Sequence, residues 1–241
     1  MSFFTCNQWI PGKIWRMFPL RRKKPLLVNI LIRTSKRPNY FRTCMESVHS
    51  QTYPNIRTIV SYDNEESLDY VSAYRDIEAI RVFPGPEPYA PLPADYPYDY
   101  YRLHPNLYLN TLMDLVSDGF VVYLDDDDKF MHSDSLEVIV NHISSSDDLL
   151  IWKVQFPGRY LPEDKFFGKK PVFGHIGTCG FAFHSKYIPQ VRWEGWSGGD
   201  YRVVSALYDL VPNKVFIDKI LTGIQRDYRG GGMGKQTDKP G

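Results

Sequence analysis

The sequence lacks several features that mark common protein classes. Its 241 residues include only three cysteines, at positions 6, 44 and 179, and no Cys-x-x-Cys pair. Because zinc knuckles and disulfide frameworks need closely spaced or numerous cysteines, both are disfavoured and a reducing cytoplasm is expected. No apolar run approaches the roughly 20 residues that a membrane-spanning helix needs. The first 25 residues lack the features of a signal peptide.

An excess of charge is also missing. The chain carries 29 Lys and Arg against 28 Asp and Glu, which leaves a net charge of +1. This balance disfavours a nucleic-acid-binding protein whose affinity comes from a general phosphate-seeking surface. The sequence also contains no internal repeat and no low-complexity linker, so one globular domain is the simplest organisation.

Residues 9–24 are the one strongly basic and aromatic stretch. Apolar side chains alternate there with Arg16, Arg21, Arg22, Lys23 and Lys24. Such a segment predicts peripheral attachment to the inner face of an anionic membrane. The alternative is that the aromatic side chains pack on the domain and the basic side chains are simply solvated. Two prolines make the segment a poor amphipathic helix.

Hydrophobic periodicity predicts strands alternating with helices. Strands are predicted over residues 26–32, 56–62, 77–83, 120–124, 149–156 and 214–224, with short strands and loops over 172–183. Helices are predicted over 39–50, 66–74, 104–116, 133–142 and 200–210. This alternation is typical of an α/β domain with a mostly parallel sheet and right-handed crossovers. Residues 84–102, rich in proline and tyrosine, form a long loop that is either functional or an ordered surface loop.

Four consecutive aspartates follow the predicted strand at 120–124, in the sequence FVVYLDDDDKF. Ligands of open α/β sheets bind at the carboxyl ends of the strands. A solvated turn, a helix cap and a calcium loop are the simpler explanations, but four carboxylates exceed a cap, and Lys129 and Phe130 break the calcium-loop pattern. Mn²⁺ or Mg²⁺ shared with a substrate phosphate fits better, because the cation relieves the repulsion between the carboxylates.

Three motifs together resemble a known family. The stretch NILIRTSKRPNYFRTCMESVHSQTYPNIRTIVSYDNEES is similar to the opening of inverting family-2 glycosyltransferases with the GT-A fold. VVYLDDDD resembles the DxD element of that family, and WSGGDYRVVSAL resembles its short acidic motif at the start of a helix near the acceptor. The three occur in the correct order over about residues 26–226, which makes the resemblance specific.

The resemblance implies roles for individual residues. Thr34 and Asp63 match positions that hold the nucleotide base. Asp125 matches the first aspartate of the DxD, near the ribose or the metal's water shell, and Asp127 matches the direct metal ligand. Asp200 matches the catalytic base, although a helix cap is its simpler interpretation and the two roles are compatible.

Two further contacts with the donor substrate are expected. Asn110 stands near the position of an Arg-Asn pair that touches the donor in many members. Arg226, on the glycine-rich segment that ends the chain, could close over the diphosphate, although a frayed tail is the alternative. The family often has Glu-Asp where this chain has Gly199 and Asp200, so the partner carboxylate is missing.

The sequence therefore predicts a metal-dependent, inverting glycosyltransferase. Its expected substrates are a nucleotide-sugar donor, with UDP favoured, and a saccharide or lipid-linked saccharide acceptor. The predicted organisation is a basic, aromatic extension at 1–25, a GT-A domain at 26–226 and a glycine-rich tail at 227–241. Three alternatives stay open: a nucleotidyltransferase of similar fold, a phosphatase using an aspartyl-phosphate, and a catalytically silent sugar-binding or scaffold protein.

Overall fold

Four parallel strands form one half of a central sheet. This computed structural model describes residues 25–83 and 103–225. The first four strands are β1 Val28–Thr34, β2 Ile56–Tyr62, β3 Glu78–Arg81 and β4 Phe120–Asp125. They lie in the order β3-β2-β1-β4. Arg33 of β1 pairs with both Ser61 of β2 and Asp125 of β4, so the carboxyl ends of these strands lie side by side.

The other half of the sheet is mixed. Its strands are β5 Asp128–Phe130, β6 Asp148–Phe156, β7 Arg159–Leu161, β8 Phe181–His184 and β9 Asn213–Ile224. Strand β8 runs antiparallel between β4 and β6, whereas β9 is parallel to β6 and antiparallel to β5. The strands of the described residues thus form one curled sheet in the order β3-β2-β1-β4-β8-β6-β9-β5, with β7 beside β6.

Helices cover both faces of the sheet. They are α1 Pro38–His49, α2 Glu65–Val71, α3 Pro105–Asp114, α4 Ser135–Asn141 and α5 Gly199–Leu210, with a 3-10 helix at Ser185–Gln190. One apolar cluster contains side chains of α1, α2 and α4, and the other contains side chains of α3, α5 and the 3-10 helix. Burial on both faces explains why β1 and β4 read as nearly continuous apolar runs.

The α/β class and the mostly parallel sheet that the sequence predicts are confirmed. The short strands β5 and β7 were not predicted, because three residues carry too little periodicity to identify a strand. Helix α4 begins at Ser135, and Asp134 stands at its N-cap without a capping hydrogen bond from its side chain. Predicted and observed ends differ by a few residues elsewhere, as at α2, which ends at Val71 instead of residue 74.

Several predictions concern residues outside the described ranges. They are the extension at 1–24 with its membrane segment at 9–24, the loop at 84–102, Arg226 and the tail at 227–241. Among the helices of residues 25–83 and 103–225, none combines the length and apolar character needed to span a bilayer.

Candidate active site at the carboxyl edge of the sheet

Three of the predicted site residues lie at neighbouring strand ends. Thr34 ends β1, Asp125 ends β4, and Asp63 directly follows β2. The register that pairs Arg33 with Asp125, and Thr34 with Tyr62, places these ends in one row. This edge of a parallel sheet is where α/β proteins bind ligands.

Arg33 neutralises the first aspartate of the run. We call residues Asp125–Asp128 the aspartate turn. Arg33 Nε donates to Asp125 Oδ1 (2.5 Å) and Arg33 Nη2 donates to Asp125 Oδ2 (2.9 Å), a bidentate pair. The third donor of the guanidinium, Nη1, binds Asn106 Oδ1 at 2.8 Å. Because the Arg33 side chain is buried, it is fixed in place by these bonds instead of moving freely in solvent.

Arg37 neutralises the next two aspartates from inside the protein. Its guanidinium donates to both oxygens of Asp126, with Nε at 3.0 Å from Oδ2, and Nη1 donates to Asp127 Oδ2 at 3.3 Å. All three side chains are essentially inaccessible to solvent. Thr34 Oγ1 also donates to Asp126 Oδ2 at 2.8 Å. Burial raises the pKa of Asp126 to about 6, although the charge of Arg37 and the bond from Thr34 lower it.

Asp128 is buried and bonds to the backbone of the turn. Its Oδ2 accepts the amide hydrogen of Asp125 at 2.9 Å, and its carboxyl bonds with the buried thiol of Cys179. Burial first, and then the charge of Asp125, raises the pKa of Asp128 to about 8. A raised pKa favours the protonated carboxyl, which reduces the repulsion that Asp128 adds to the turn.

These pairs explain how four adjacent aspartates can end a buried strand. Arg33 and Arg37 place two guanidinium groups among the carboxylates of the turn, and the raised pKa of Asp128 reduces the negative charge that this residue adds. From the sequence we attributed the relief of repulsion between the carboxylates to a metal cation. The bonds from Arg33 and Arg37 were not predicted. The available signal was the position of Arg33 directly after the apolar run of β1, since charged side chains are rarely buried without a partner.

The two residues expected to hold the nucleotide base have different surroundings. Thr34 is fully buried, and its hydroxyl contacts Asp126 and the hydroxyl of Tyr70. Its observed role is to brace the aspartate turn, and the base contact stays a prediction. Asp63 is partly exposed and accepts a hydrogen bond from the Tyr108 hydroxyl at 3.3 Å. Burial and the Asp63 charge together raise the pKa of Tyr108 to about 12.

Asp200 lies in the first turn of α5 and faces the same edge. Its Oδ1 accepts the backbone amide of Tyr201 at 2.8 Å. Burial, with a smaller contribution from the charge of Asp125, raises the pKa of Asp200 to about 6, against the lowering effects of the Tyr201 amide and of the charges of Arg33 and Arg202. The mutual influence of Asp125 and Asp200 places both carboxylates in one electrostatic field. A carboxyl with this pKa can accept a proton near neutral pH.

The 193–199 loop, which leads into α5, is tied to helix α3. Asn110 Nδ2 donates to the Trp193 carbonyl and Asn110 Oδ1 accepts the Trp193 amide, both at 2.8 Å. A contact between Asn110 and a donor substrate would require these bonds to break, so we leave Asn110 out of the proposed donor site. Asn106, which sequence reasoning missed, donates to the carbonyls of Glu194 (3.3 Å) and Trp196 (2.7 Å).

The two glycines before Asp200 pack against the protein itself. Gly198 adopts φ +72°, and a Cβ added there would lie 2.5 Å from the Phe173 ring. A Cβ on Gly199 would lie 2.7 Å from Asn106 Nδ2 and 2.9 Å from the Trp193 ring. Close approach to Phe173, Asn106 and Trp193 therefore accounts for glycine at both positions.

The last described residue is bonded to the aspartate turn. Gln225 N donates to the Asp127 carbonyl at 2.7 Å, and Gln225 Nε2 donates to the carbonyls of Asp126 (3.2 Å) and Asp128 (3.1 Å). The chain therefore leaves the described structure beside the turn. Arg226 follows directly and lies outside the described residues, so its contact with a diphosphate stays a prediction.

Asp125 and Asp127 are the candidates in the turn for binding a hard divalent cation, although each is also bonded to an arginine. Asp126 is bonded to Arg37 and Thr34, and Asp128 is bonded to the Asp125 amide and to Cys179, so neither is suited to bind a cation. Asp125 is the most exposed of the four, with 14% of its side chain accessible. Asp127 has the longest bond to its arginine. Within residues 25–83 and 103–225, no three or more His, Cys, Asp or Glu side chains are arranged so that together they could hold a metal ion. A site at Asp125 and Asp127 would thus rely on a substrate phosphate and water for its other ligands.

Solved structures share this architecture. S. aureus TarS 1-349 superposes with a TM-score of 0.63 at 15% identity, over 83% of this chain and 60% of that one. Its complex with UDP-GlcNAc gives a TM-score of 0.62 at 14% identity, over 84% and 59%. Mannosyltransferase PcManGT from Pyrobaculum calidifontis, in complex with GDP-Man and Mn²⁺, gives 0.60 at 12% identity, over 86% and 59%.

The sequence alone gives no such match. No protein-family model matches the chain, and no curated protein is similar to it in sequence. The chain spans 60% or less of the lengths of the solved structures described above. At these identities the likeness concerns the fold. The chain has the GT-A fold of the glycosyltransferases that its sequence motifs resemble.

Proposed function

We propose that this protein is a metal-dependent, inverting glycosyltransferase that moves a sugar from a nucleoside-diphosphate sugar to a saccharide acceptor. The observation that carries the proposal is that Asp63, Asp125 and Asp127 lie at or beside neighbouring strand ends of a GT-A sheet, and that the charge of Asp125 acts on Asp200. The first three belong to the end where nucleotides bind in this kind of fold. Asp200 belongs to a different element, the first turn of α5.

The aspartate turn is the proposed donor site. Asp125 and Asp127 would hold Mn²⁺ or Mg²⁺, which supplies positive charge for the departing diphosphate when it is bound. Arg37 and Thr34 keep Asp126 ionised and aligned, and Asp128 fixes the backbone of Asp125. Asp63 is proposed to orient the nucleotide, with UDP as the expected one. A buried, pre-arranged turn loses little order when the charged ligand arrives.

Asp200 is the proposed general base. Its carboxylate would accept the proton of the acceptor hydroxyl while that oxygen forms a bond to the anomeric carbon and the bond to the diphosphate breaks. Attack from the face opposite the leaving group inverts the anomeric configuration. The raised pKa of about 6 suits a base that must be ionised at neutral pH yet still take up a proton.

The acceptor and its location are proposals that come from the sequence. A lipid-linked saccharide would fit the basic and aromatic segment at residues 9–24, which we propose attaches the protein to an anionic membrane surface. Liposome flotation of the full chain and of a chain starting at Pro25 tests this attachment. If both forms stay soluble with anionic vesicles at low salt, the attachment proposal fails.

Product analysis tests the function directly. The protein is incubated with Mn²⁺ and a panel of UDP-, GDP- and dTDP-sugars, with simple saccharides as acceptors, and released nucleoside diphosphate is measured. An α-linked donor should give a β-linked product, which the anomeric proton coupling in NMR identifies. Release of nucleotide from none of the donors, or retention of the donor's configuration, would contradict the proposal.

A further inference from the structure

One buried side chain connects the two parts of the candidate active site. Asn106, in the first turn of α3, is 2% exposed. Its Oδ1 accepts a hydrogen bond from Arg33 Nη1 at 2.8 Å, and Arg33 also donates to both carboxylate oxygens of Asp125. Its Nδ2 donates to the carbonyls of Glu194 and Trp196 in the 193–199 loop. The oxygen of one amide thus faces the aspartate turn and the nitrogen faces the loop that leads to Asp200.

The neighbouring groups leave this amide little freedom to move. The Nδ2 atom lies only 2.7 Å from the place that a Cβ on Gly199 would occupy, so the loop backbone packs directly on it. On the other side, the guanidinium of Arg33 is planar and uses three of its nitrogens on Asp125 and Asn106. A rotation of Asp125 therefore has to move the guanidinium, and a rotated guanidinium has to move or release Asn106.

We propose that Asn106 is a positioning residue that couples the aspartate turn, through Arg33, to the loop that presents Asp200. The catalytic consequence rests on the proposed function: donor binding at Asp125 would set the geometry of the loop before the acceptor reacts. The physical coupling itself is a property of the unliganded protein, and it can be measured without any substrate.

Helix α3 supplies a matched control one turn further along. Asn110 also bonds to the backbone of this loop, at Trp193, and it is bonded to neither Arg33 nor the aspartate turn in the described structure. Substitutions at Asn106 and Asn110 therefore remove similar bonds to the same loop. Only substitutions at Asn106 remove the connection to Arg33.

Amide hydrogen exchange in the unliganded protein is the first test. The amide of Leu103, which donates to the Gly195 carbonyl, reports on the loop, and the amide of Gln225, which donates to the Asp127 carbonyl, reports on the turn. Asn106→Leu should speed exchange at both reporters by at least about tenfold, the factor expected when a bond to a charged group is lost. Asn110→Leu should speed it only at the loop. Equal effects of the two variants on the turn, or no effect of Asn106→Leu there, would overturn the coupling.

Two milder variants keep the test valid if a leucine at position 106 prevents folding. Asn106→Asp retains an oxygen for Arg33 but cannot donate to the loop carbonyls, so it should loosen the loop and leave the turn protected. Arg33→Lys keeps the charge beside Asp125 but loses the planar fork that reaches Asn106. It should loosen the loop although it touches none of its residues. A loop unaffected by Arg33→Lys would contradict the proposal.

A second measurement adds the nucleotide. UDP with Mn²⁺ should increase protection of residues 193–199 in the wild type and in Asn110→Leu, and should fail to do so in Asn106→Leu at saturating UDP. An equal increase in Asn106→Leu would contradict the coupling. If the wild-type protein binds no nucleotide, the proposed function fails, whereas the exchange pattern of the unliganded variants still decides whether the coupling exists.

Discussion

The aspartate turn and the first turn of α5 use carboxylates in opposite ways. In the turn, Asp126 and Asp128 are buried and bonded to Arg37, Thr34 and the backbone, so they build the structure. Asp200 accepts a bond from the backbone amide of Tyr201, and its pKa is raised to about 6 mainly by burial. Carboxylates bonded to arginine, threonine and the backbone fix the shape of the turn, whereas burial gives Asp200 a pKa at which it can accept a proton near neutral pH.

Removing the proposed base should give the largest effect. Asp200→Asn keeps the size of the side chain but cannot accept a proton, so transfer should fall by about 10²- to 10⁴-fold while donor binding stays intact. Turnover and calorimetric UDP affinity are measured on the same preparation. At pH 8 the variant should unfold at a temperature no lower than the wild type, because the desolvated charge is gone. Lost UDP affinity with retained turnover would make Asp200 a structural or binding residue.

Removing an arginine from the turn should instead damage the fold. Arg37→Met leaves the buried carboxylate of Asp126 without its partner, which typically costs about 3–5 kcal/mol in the free energy of unfolding. Urea denaturation measures the change. Arg42→Met is the matched control, since Arg42 is exposed on α1, the helix that Arg37 directly precedes, and its described hydrogen bond is to Asn39. Similar midpoints for the two variants would show that the pair of Arg37 with Asp126 does not stabilise the turn.

The close packing of the loop against Asn106 predicts a smaller loss. Gly199→Ala places a methyl group 2.7 Å from Asn106 Nδ2, and overpacking of this kind costs about 1–3 kcal/mol. Gly177→Ala is the control, because its methyl group would meet Phe156 at an ordinary 3.4 Å. Thermal unfolding compares the two variants. If Gly199→Ala is as stable as Gly177→Ala, the loop is not packed as tightly as described.

The pH dependence of turnover gives the most gradual effect. The pKa of Asp200 is raised to about 6, so its carboxylate form predominates above that pH and is lost as the pH falls through it. Below about pH 6, kcat/KM should therefore fall roughly tenfold per pH unit, as expected for one essential base. A profile that stays flat down to pH 5 would contradict the role of Asp200 as the base.

The sequence predicted the fold better than it predicted the contacts of the site. Strand and helix periodicity located β1, β2, β4 and α1 because these elements are long and bury one consistent set of side chains. Motif order selected Asp125, Asp127 and Asp200, whose roles stay predictions. The bonds of Arg33 and Asn106 were missed because they join residues 92 and 73 positions apart in the chain, a distance over which periodicity carries no information.

Asn110 also shows that spacing along the sequence does not reveal which partners a side chain has in the folded protein. Its position relative to the aspartate run matched the expected donor contact, yet its amide is bonded to the backbone of Trp193. Asn106, one helical turn earlier, is the residue that reaches Arg33. Spacing along α3 could not distinguish the two, because residues four apart lie on the same face of a helix.

Titration calorimetry with UDP tests directly whether the aspartate turn is a metal-dependent nucleotide site. The wild-type protein should bind UDP with Mn²⁺, and EDTA should abolish or strongly weaken this binding. The substitution Asp127→Asn should also abolish or strongly weaken binding, even with Mn²⁺ present. Circular dichroism of Asp127→Asn provides the control for folding. Equal UDP affinity with Mn²⁺ and with EDTA, or full affinity in Asp127→Asn, would contradict the assignment of the aspartate turn as a metal-dependent nucleotide site.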